Sequence, residues 1–237
     1  MKIAGVEVNK KLFIAVIVVV VLAIIGLIVD KLYINRYNKY KIDKDENFIY
    51  TSETYSKSKS YIPYINIDND FCKTLNSEIE KLALDYKDST SQNNSFTYRY
   101  NVNNNYVSLV IILKSLDDND QLQFEFITYV FDLDDGGKAL SDSEILQKFN
   151  ITEDEVSEKI STELVKIYDD EINENIIPSE CNFKDCYLSL RKIDDYLDNV
   201  NYYIENGSLV VYKTFEVYSK YNEEDYFTRD DFKFYIK

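Results

Sequence analysis

Residues 12–29 read LFIAVIVVVVLAIIGLIV, eighteen positions without a charge, a hydroxyl or an amide. At helical rise that run is about 27 Å long, close to the roughly 30 Å of bilayer hydrocarbon. A stretch of this kind has few places to go, and the sequence predicts a transmembrane helix. The run exceeds a usual signal-peptide core, and no Ala-x-Ala cleavage site or lipid-bearing cysteine follows it. An uncleaved signal anchor is therefore the expectation, with residues 1–11 as a short cytoplasmic tail. Lys2, Lys10 and Lys11 precede the span, whereas Lys31, Arg36, Lys39, Lys41 and Lys44 follow it. A plain count of these charges does not favour export of the C-terminal part. Long domains can nevertheless translocate despite flanking charge, and export of a basic N-terminal tail is itself unfavourable, so these charges leave the orientation open.

Charge narrows the function classes. Of 42 acids and 27 bases, all but Glu7, Asp30, Lys2, Lys10 and Lys11 lie beyond residue 30, a net −16 there. That sign opposes nucleic-acid phosphates and anionic lipid surfaces. It suits a cationic partner, and it equally suits a surface kept soluble by charge. With 45% hydrophobic residues the remaining chain can fold. Its 22 Tyr and 13 Phe against 5 Gly and 2 Pro favour strands joined by short polar turns.

Residues 30–61 follow no single period and read as a stalk, with one short strand near Phe48–Tyr50. The folded domain is expected over 62–237. An amphipathic helix is predicted at 69–87, with Phe71, Leu75, Ile79, Leu82 and Tyr86 in one stripe and Cys72 and Ala83 on its border. Three strands follow: FTYRYNV (96–102), YVSLVIILKS (106–115) and QLQFEFITYVFDL (121–133). The second is apolar on both sides and reads as central. Helices are expected at about 141–148 and 153–172. The second has a capping box at Thr152–Glu155, with Ile151 and Val156 placed as a hydrophobic staple. A short strand at YLSLRKI, a hairpin turning on Asn206-Gly207 and a terminal strand FKFYI after an acidic loop (222–231) complete the order. Segregated strands and helices of this kind indicate an α+β domain with an antiparallel sheet and two to three packed helices.

Sites of chemistry are few. The chain has no His, which removes the commonest general base and the Ser-His-Asp and Cys-His arrangements. No phosphate-binding glycine loop occurs. In DLDDGGK, Asp132, Asp134 and Gly136 follow the start of a calcium-loop pattern. Position 12, however, is Ser143 and no helix enters the loop, so a tight turn accounts for the glycines equally well. Cys181 and Cys186, in CNFKDC, can bridge if the loop turns back on itself; two reduced thiols are the alternative. Cys72 faces the core of its helix. The Tyr-rich strands can stack on sugars or peptides or serve sheet packing. No cofactor is implied, and the chain reads as a non-enzyme. A wall-active hydrolase using paired carboxylates and a structural subunit of a membrane complex are the alternative functions.

Three stretches carry a family resemblance: IPYINIDNDFCKTLNSEIEKLALDY, VSLVIILKSLDDNDQLQFEFITYVFDLDDGGKALSDSEIL and NYYIENGSLVVYKTFEVY. From Ile62 to Ile236 the chain resembles an extracytoplasmic domain of Gram-positive bacteria. That domain is found in sigma-V-type, lysozyme-sensing anti-sigma factors and before the catalytic domain of some peptidoglycan deacetylases. Where many members carry Gly-Ala-His-Gly between the central strands, this chain has Asp117-Asp118-Asn119-Asp120. Eleven residues before the span do not suffice for a sigma-binding segment, and no deacetylase domain follows before Lys237. The resemblance thus implies a sensor-like module at the cell membrane, anchored by residues 12–29 with the C-terminal domain outside, for a cationic protein or a cell-wall component.

Overall fold

The computed structural model describes residues 2–3, 6–7, 10–55, 60–88, 94–103, 105–116, 122–173, 200–221 and 224–237. Cys181, Cys186, the YLSLRKI stretch and Asp117–Asp120 lie outside these residues. The chain divides into two compact units, Met1–Lys44 and Asp45–Lys237.

The first unit contains a two-residue pairing of β1 (Lys2–Ile3) with β2 (Val6–Glu7) and a helix, α1 (Lys10–Asn38). Every side chain from Ile14 to Leu27 is exposed, the large ones between 45% and 70%. These residues surround the helix with apolar surface and leave no polar face. Among the described residues no helix is long and apolar enough to cross a membrane. The exposed apolar stretch of α1, residues 14–27, covers about 21 Å of axis.

The second unit is α+β with antiparallel sheets. Its strands are β3 (Ile49–Tyr55), β4 (Ser60–Ile65), β5 (Ser95–Asn103), β6 (Tyr106–Leu116), β7 (Leu122–Asp132), β8 (Lys138–Ala139), β9 (Val200–Glu205), β10 (Ser208–Tyr221) and β11 (Glu224–Tyr235). Its helices are α2 (Asp70–Asp88), α3 (Asp142–Phe149) and α4 (Glu153–Asn173). In place of one sheet the described strands form three, β3-β4, β5-β6-β7-β8 and β11-β10-β9. The expected spacer over 30–61 holds the end of α1 and strand β3. Phe48 and Ile49 are buried, and Tyr50 stacks on Tyr64 at 5.1 Å, which gives this stretch a partner in β4. The expected acidic loop at 222–231 is mostly strand: β11 begins at Glu224 and stays in register with β10 to its end. A long partner strand offers a row of backbone groups, and pairing with it outweighs the low strand preference of the charged residues.

Alternation along the strands builds the layers. On β6, Val110 and Ile112 face Tyr203, Val210 and Tyr212 of the three-stranded sheet, together with Phe126. Leu109, Ile111 and Leu113 lie on the opposite side and are buried as well. β6 is thus central and covered on both faces, as its sequence predicts. The other side of the three-stranded sheet, with Tyr202, Ile204, Leu209, Val211 and Phe234, packs on Ile145 and Leu146 of α3 and Val156, Ile160 and Leu164 of α4.

Caps fix where the helices begin. Thr152 and Glu155 exchange the two bonds of a capping box, N–H to carboxylate at 2.7 Å and N–H to hydroxyl at 3.2 Å. Ser141 and Glu144 repeat the device at α3, which ends on Asn150 in a left-handed conformation. α2 packs on β4 and β5 through Cys72, Leu75, Ile79 and Ala83. Phe71, expected in the buried stripe, is 52% exposed. The helix is rotated by its cap: Asn69 Oδ1 accepts the Cys72 N–H at 2.7 Å while Asn69 Nδ2 donates to the Gly137 carbonyl at 2.9 Å. Asn76 then pairs with both backbone groups of Ile65, at 2.7 and 2.9 Å.

Gly137 sits at φ +80°, and an added Cβ would lie 2.3 Å from Ile67 Cγ2. Gly137→Ala is expected to cost about 1–3 kcal/mol through overpacking and left-handed strain. Asn76→Ala, which leaves two Ile65 backbone groups without their partner, is expected to cost about 1–3 kcal/mol. Urea unfolding of each variant measures both; a loss below a few tenths of a kcal/mol would refute the assigned role.

Candidate functional site

β5 is an edge strand of the four-stranded sheet, and its sequence puts different chemistry on its two faces. Tyr98 and Tyr100 stack on one side, ring centroids 6.4 Å apart, and the Tyr98 hydroxyl meets the Thr51 hydroxyl at 2.7 Å. Arg99 and Asn101 lie on the side of β9. There Asn101 donates to Asn206 Oδ1 at 3.2 Å and accepts the Asn206 N–H at 3.3 Å. A cleft of about 530 Å³ opens here, lined chiefly by Tyr61, Tyr98, Arg99, Tyr100, Tyr203 and Glu205, with Tyr212 behind.

The inner rings pack on one another. Tyr203 meets Tyr212 edge-on at 5.9 Å, and Tyr212 packs against Phe126 at 5.0 Å. Burial raises the phenol pKa of Tyr98, Tyr203 and Tyr212, so these groups remain O–H donors near neutral pH. Glu205 accepts from Lys233 Nζ at 2.6 Å and from the Tyr235 hydroxyl at 2.7 Å. Those two bonds hold its carboxyl below the ordinary carboxylate range. Lys233 Nζ also lies 4.8 Å from the centroid of the Tyr235 ring. Arg99 is exposed and makes no hydrogen bond or ion pair among the described residues; its charge acts at a distance on Tyr203, Glu205 and Tyr212. Aromatic faces, phenol donors and a free guanidinium can hold a ligand with a flat or apolar body and an anionic group.

The loop residues Asp132, Asp134 and Gly136 do not line this cleft. Asp132 Oδ2 pairs with Lys148 Nζ at 2.6 Å, and Oδ1 accepts the Asp134 N–H at 2.9 Å. The Asp134 carboxylate accepts from Asn105. Gly136 and Gly137 have φ of +67° and +80°, so the turn itself requires them. Among the described residues no group of three or more Cys, Asp or Glu side chains could hold a metal ion. Cys72 is a free, fully buried thiol pushed up to about 11 by burial, and so a poor nucleophile.

Sequence reasoning identified β5 as a strand and left its tyrosines open between ligand stacking and sheet packing, and it did not single out Arg99, Tyr61, Glu205 or Lys233. The alternation Tyr98-Arg99-Tyr100 was the available signal. Its meaning depended on β9 and the β3–β4 hairpin lying alongside, which no local pattern shows. No protein-family model matches this chain, and no curated protein matches it.

A depressed carboxyl stabilises the folded state above its unfolded pKa and loses that contribution as pH falls through the folded pKa. The stability gap between the native chain and Glu205→Gln is therefore expected to hold from neutrality down to about pH 4.5, the ordinary glutamate value. Below that it should close. Thermal melts across that range check the sign, and a gap that widens on acidification would contradict the Lys233–Glu205–Tyr235 arrangement.

Proposed function

We propose that this chain is a membrane-anchored binding module of the Gram-positive cell envelope. Its acidic α+β domain lies outside the cell and binds a protein or cell-wall component without catalysing a reaction. The observation that carries the reading is α1: an unbroken apolar surface around residues 14–27, exposed on every side, within an eighteen-residue apolar sequence run. A helix that is apolar all round calls for an apolar surrounding. The tyrosine-lined cleft supports a binding role, and the net charge of −15 favours approach of a cationic partner. The resemblance of Ile62–Ile236 to lysozyme-sensing domains points the same way. Aromatic cleft, acidic surface and apolar tether together describe a receptor-like part more economically than a hydrolase, whose two carboxylates would have to face each other across a cleft.

Protease added to intact cells should remove the domain, and Leu22→Lys should shift the protein from the membrane to the soluble fraction. A domain protected until the cells are lysed would refute the outward orientation. Binding to a cationic envelope partner, followed on the full chain in detergent micelles, should weaken steeply as salt rises; affinity indifferent to salt would remove the electrostatic part of the reading.

A further inference from the structure

The tyrosine cleft carries a particular balance of groups. Among the described residues that line it, Arg99 is the only cation and Glu205 the only carboxylate. Glu205 is engaged by Lys233 and Tyr235, but two bonds leave part of its acceptor capacity open. Arg99 is exposed, and its five donors meet no acceptor among the described residues. In the same cleft two large rings stand in solvent, Tyr61 44% and Tyr100 38% exposed. The Thr51 and Tyr98 hydroxyls bond each other at 2.7 Å. That bond uses one of their two hydrogens and leaves the other for a ligand. The volume of about 530 Å³ falls within the roughly 300–1,000 Å³ of small-ligand sites.

We propose that this cleft binds a glycan bearing a carboxylate. The carboxylate meets the Arg99 guanidinium, sugar rings lie against Tyr61 and Tyr100, and sugar hydroxyls bond Glu205 and the Thr51–Tyr98 pair. This names a ligand for the binding role proposed above and rests on that role. A guanidinium fork matches the two oxygens of a carboxylate in one plane. The C–H bonds of a sugar ring are slightly positive and pack on the negative face of an aromatic ring. Sugar hydroxyls both donate and accept, which suits a lining of phenols, one hydroxyl and one carboxylate; a wholly apolar ligand would leave those groups unpaired. Other occupants fit less well. A lysine-rich protein segment would set its charge against Arg99, so it suits the acidic surface outside the cleft. A polyanion is held off by the net charge of −15, which a single carboxylate on neutral rings largely escapes. An extended peptide finds the margin of β5 occupied by the β3–β4 hairpin, where Ser60 Oγ takes the Phe96 N–H at 3.0 Å.

The test uses the full chain in detergent micelles and two disaccharides, one with a uronic carboxylate and one with a lactyl-ether carboxylate, each beside its uncharged carboxamide. Calorimetric titration is expected to show saturable binding of at least one acid, with its amide about tenfold weaker. The acid that binds identifies the source of the carboxylate. Arg99→Ala, at an exposed position, should weaken the acid about tenfold and leave the amide unchanged, a coupling that general damage to the fold would not give. Tyr61→Ala should weaken acid and amide alike. Equal affinity of acid and amide for the native chain, or an acid that binds Arg99→Ala undiminished, would overturn the proposal. A short acidic peptide that binds more tightly than either acid would assign the cleft to a protein ligand and overturn it as well. So would failure of both acids to bind. If a cationic envelope protein is then still bound with steep salt dependence, the binding role stands without this ligand; if the chain binds neither, both readings fall.

Discussion

A strand at the margin of a sheet turns half its peptide groups outward, and each such group must find a partner or meet water. Much of this domain follows from how that demand is met. The amide of Asn76 closes the outer side of Ile65, and in doing so it docks α2 on β4. Asn69 caps the same helix and reaches the Gly137 carbonyl, which ties the helix to the turn after β7. Ser60 and Ser108 do the same between sheets, the first holding β4 beside β5 and the second holding β9 beneath β6. Short polar side chains thus set the spacing between layers, and apolar contacts fill the space so defined. The cleft lies where the β3–β4 hairpin meets β5, between Tyr61, Tyr98 and Arg99.

Much of the scaffold was legible in local sequence. Thr152-x-x-Glu155, the Asn206-Gly207 turn and the doubly apolar β6 each carry a signal within a few residues, because capping, left-handed turns and two-sided burial act at short range. Ser141-x-x-Glu144 carries the same signature as Thr152 and was equally readable. The α+β class followed from the order of these elements.

Other features needed contacts that sequence spacing does not encode. Helical periodicity alone puts Phe71 and Leu75 on one stripe, yet a single cap to Asn69 and the reach of Asn76 to Ile65 turn α2 so that Cys72 and Ala83 face inward and Phe71 outward. Polar residues, invisible to a hydrophobic pattern, decided the rotation. The charged start of β11 reads as loop by composition, but β10 supplies its pairing. The site was the least legible part: Arg99 on β5, Glu205 on β9 and Lys233 on β11 are brought together by sheet order, and nothing near any one of them announces the other two.

The bonds joining the middle layers also constrain the order of assembly. Asn101 meets Asn206 across 105 positions of chain, and Ser108 meets Ile204 across 96. Closing separations of that size costs chain entropy before any contact rewards it. As the polypeptide emerges from the ribosome, Val110, Ile112 and Phe126 are made long before Tyr203, Val210 and Tyr212, which will cover them. The nascent sheet therefore carries a bare apolar flank through nearly half of synthesis, a span in which holding factors or delayed folding would have to protect it.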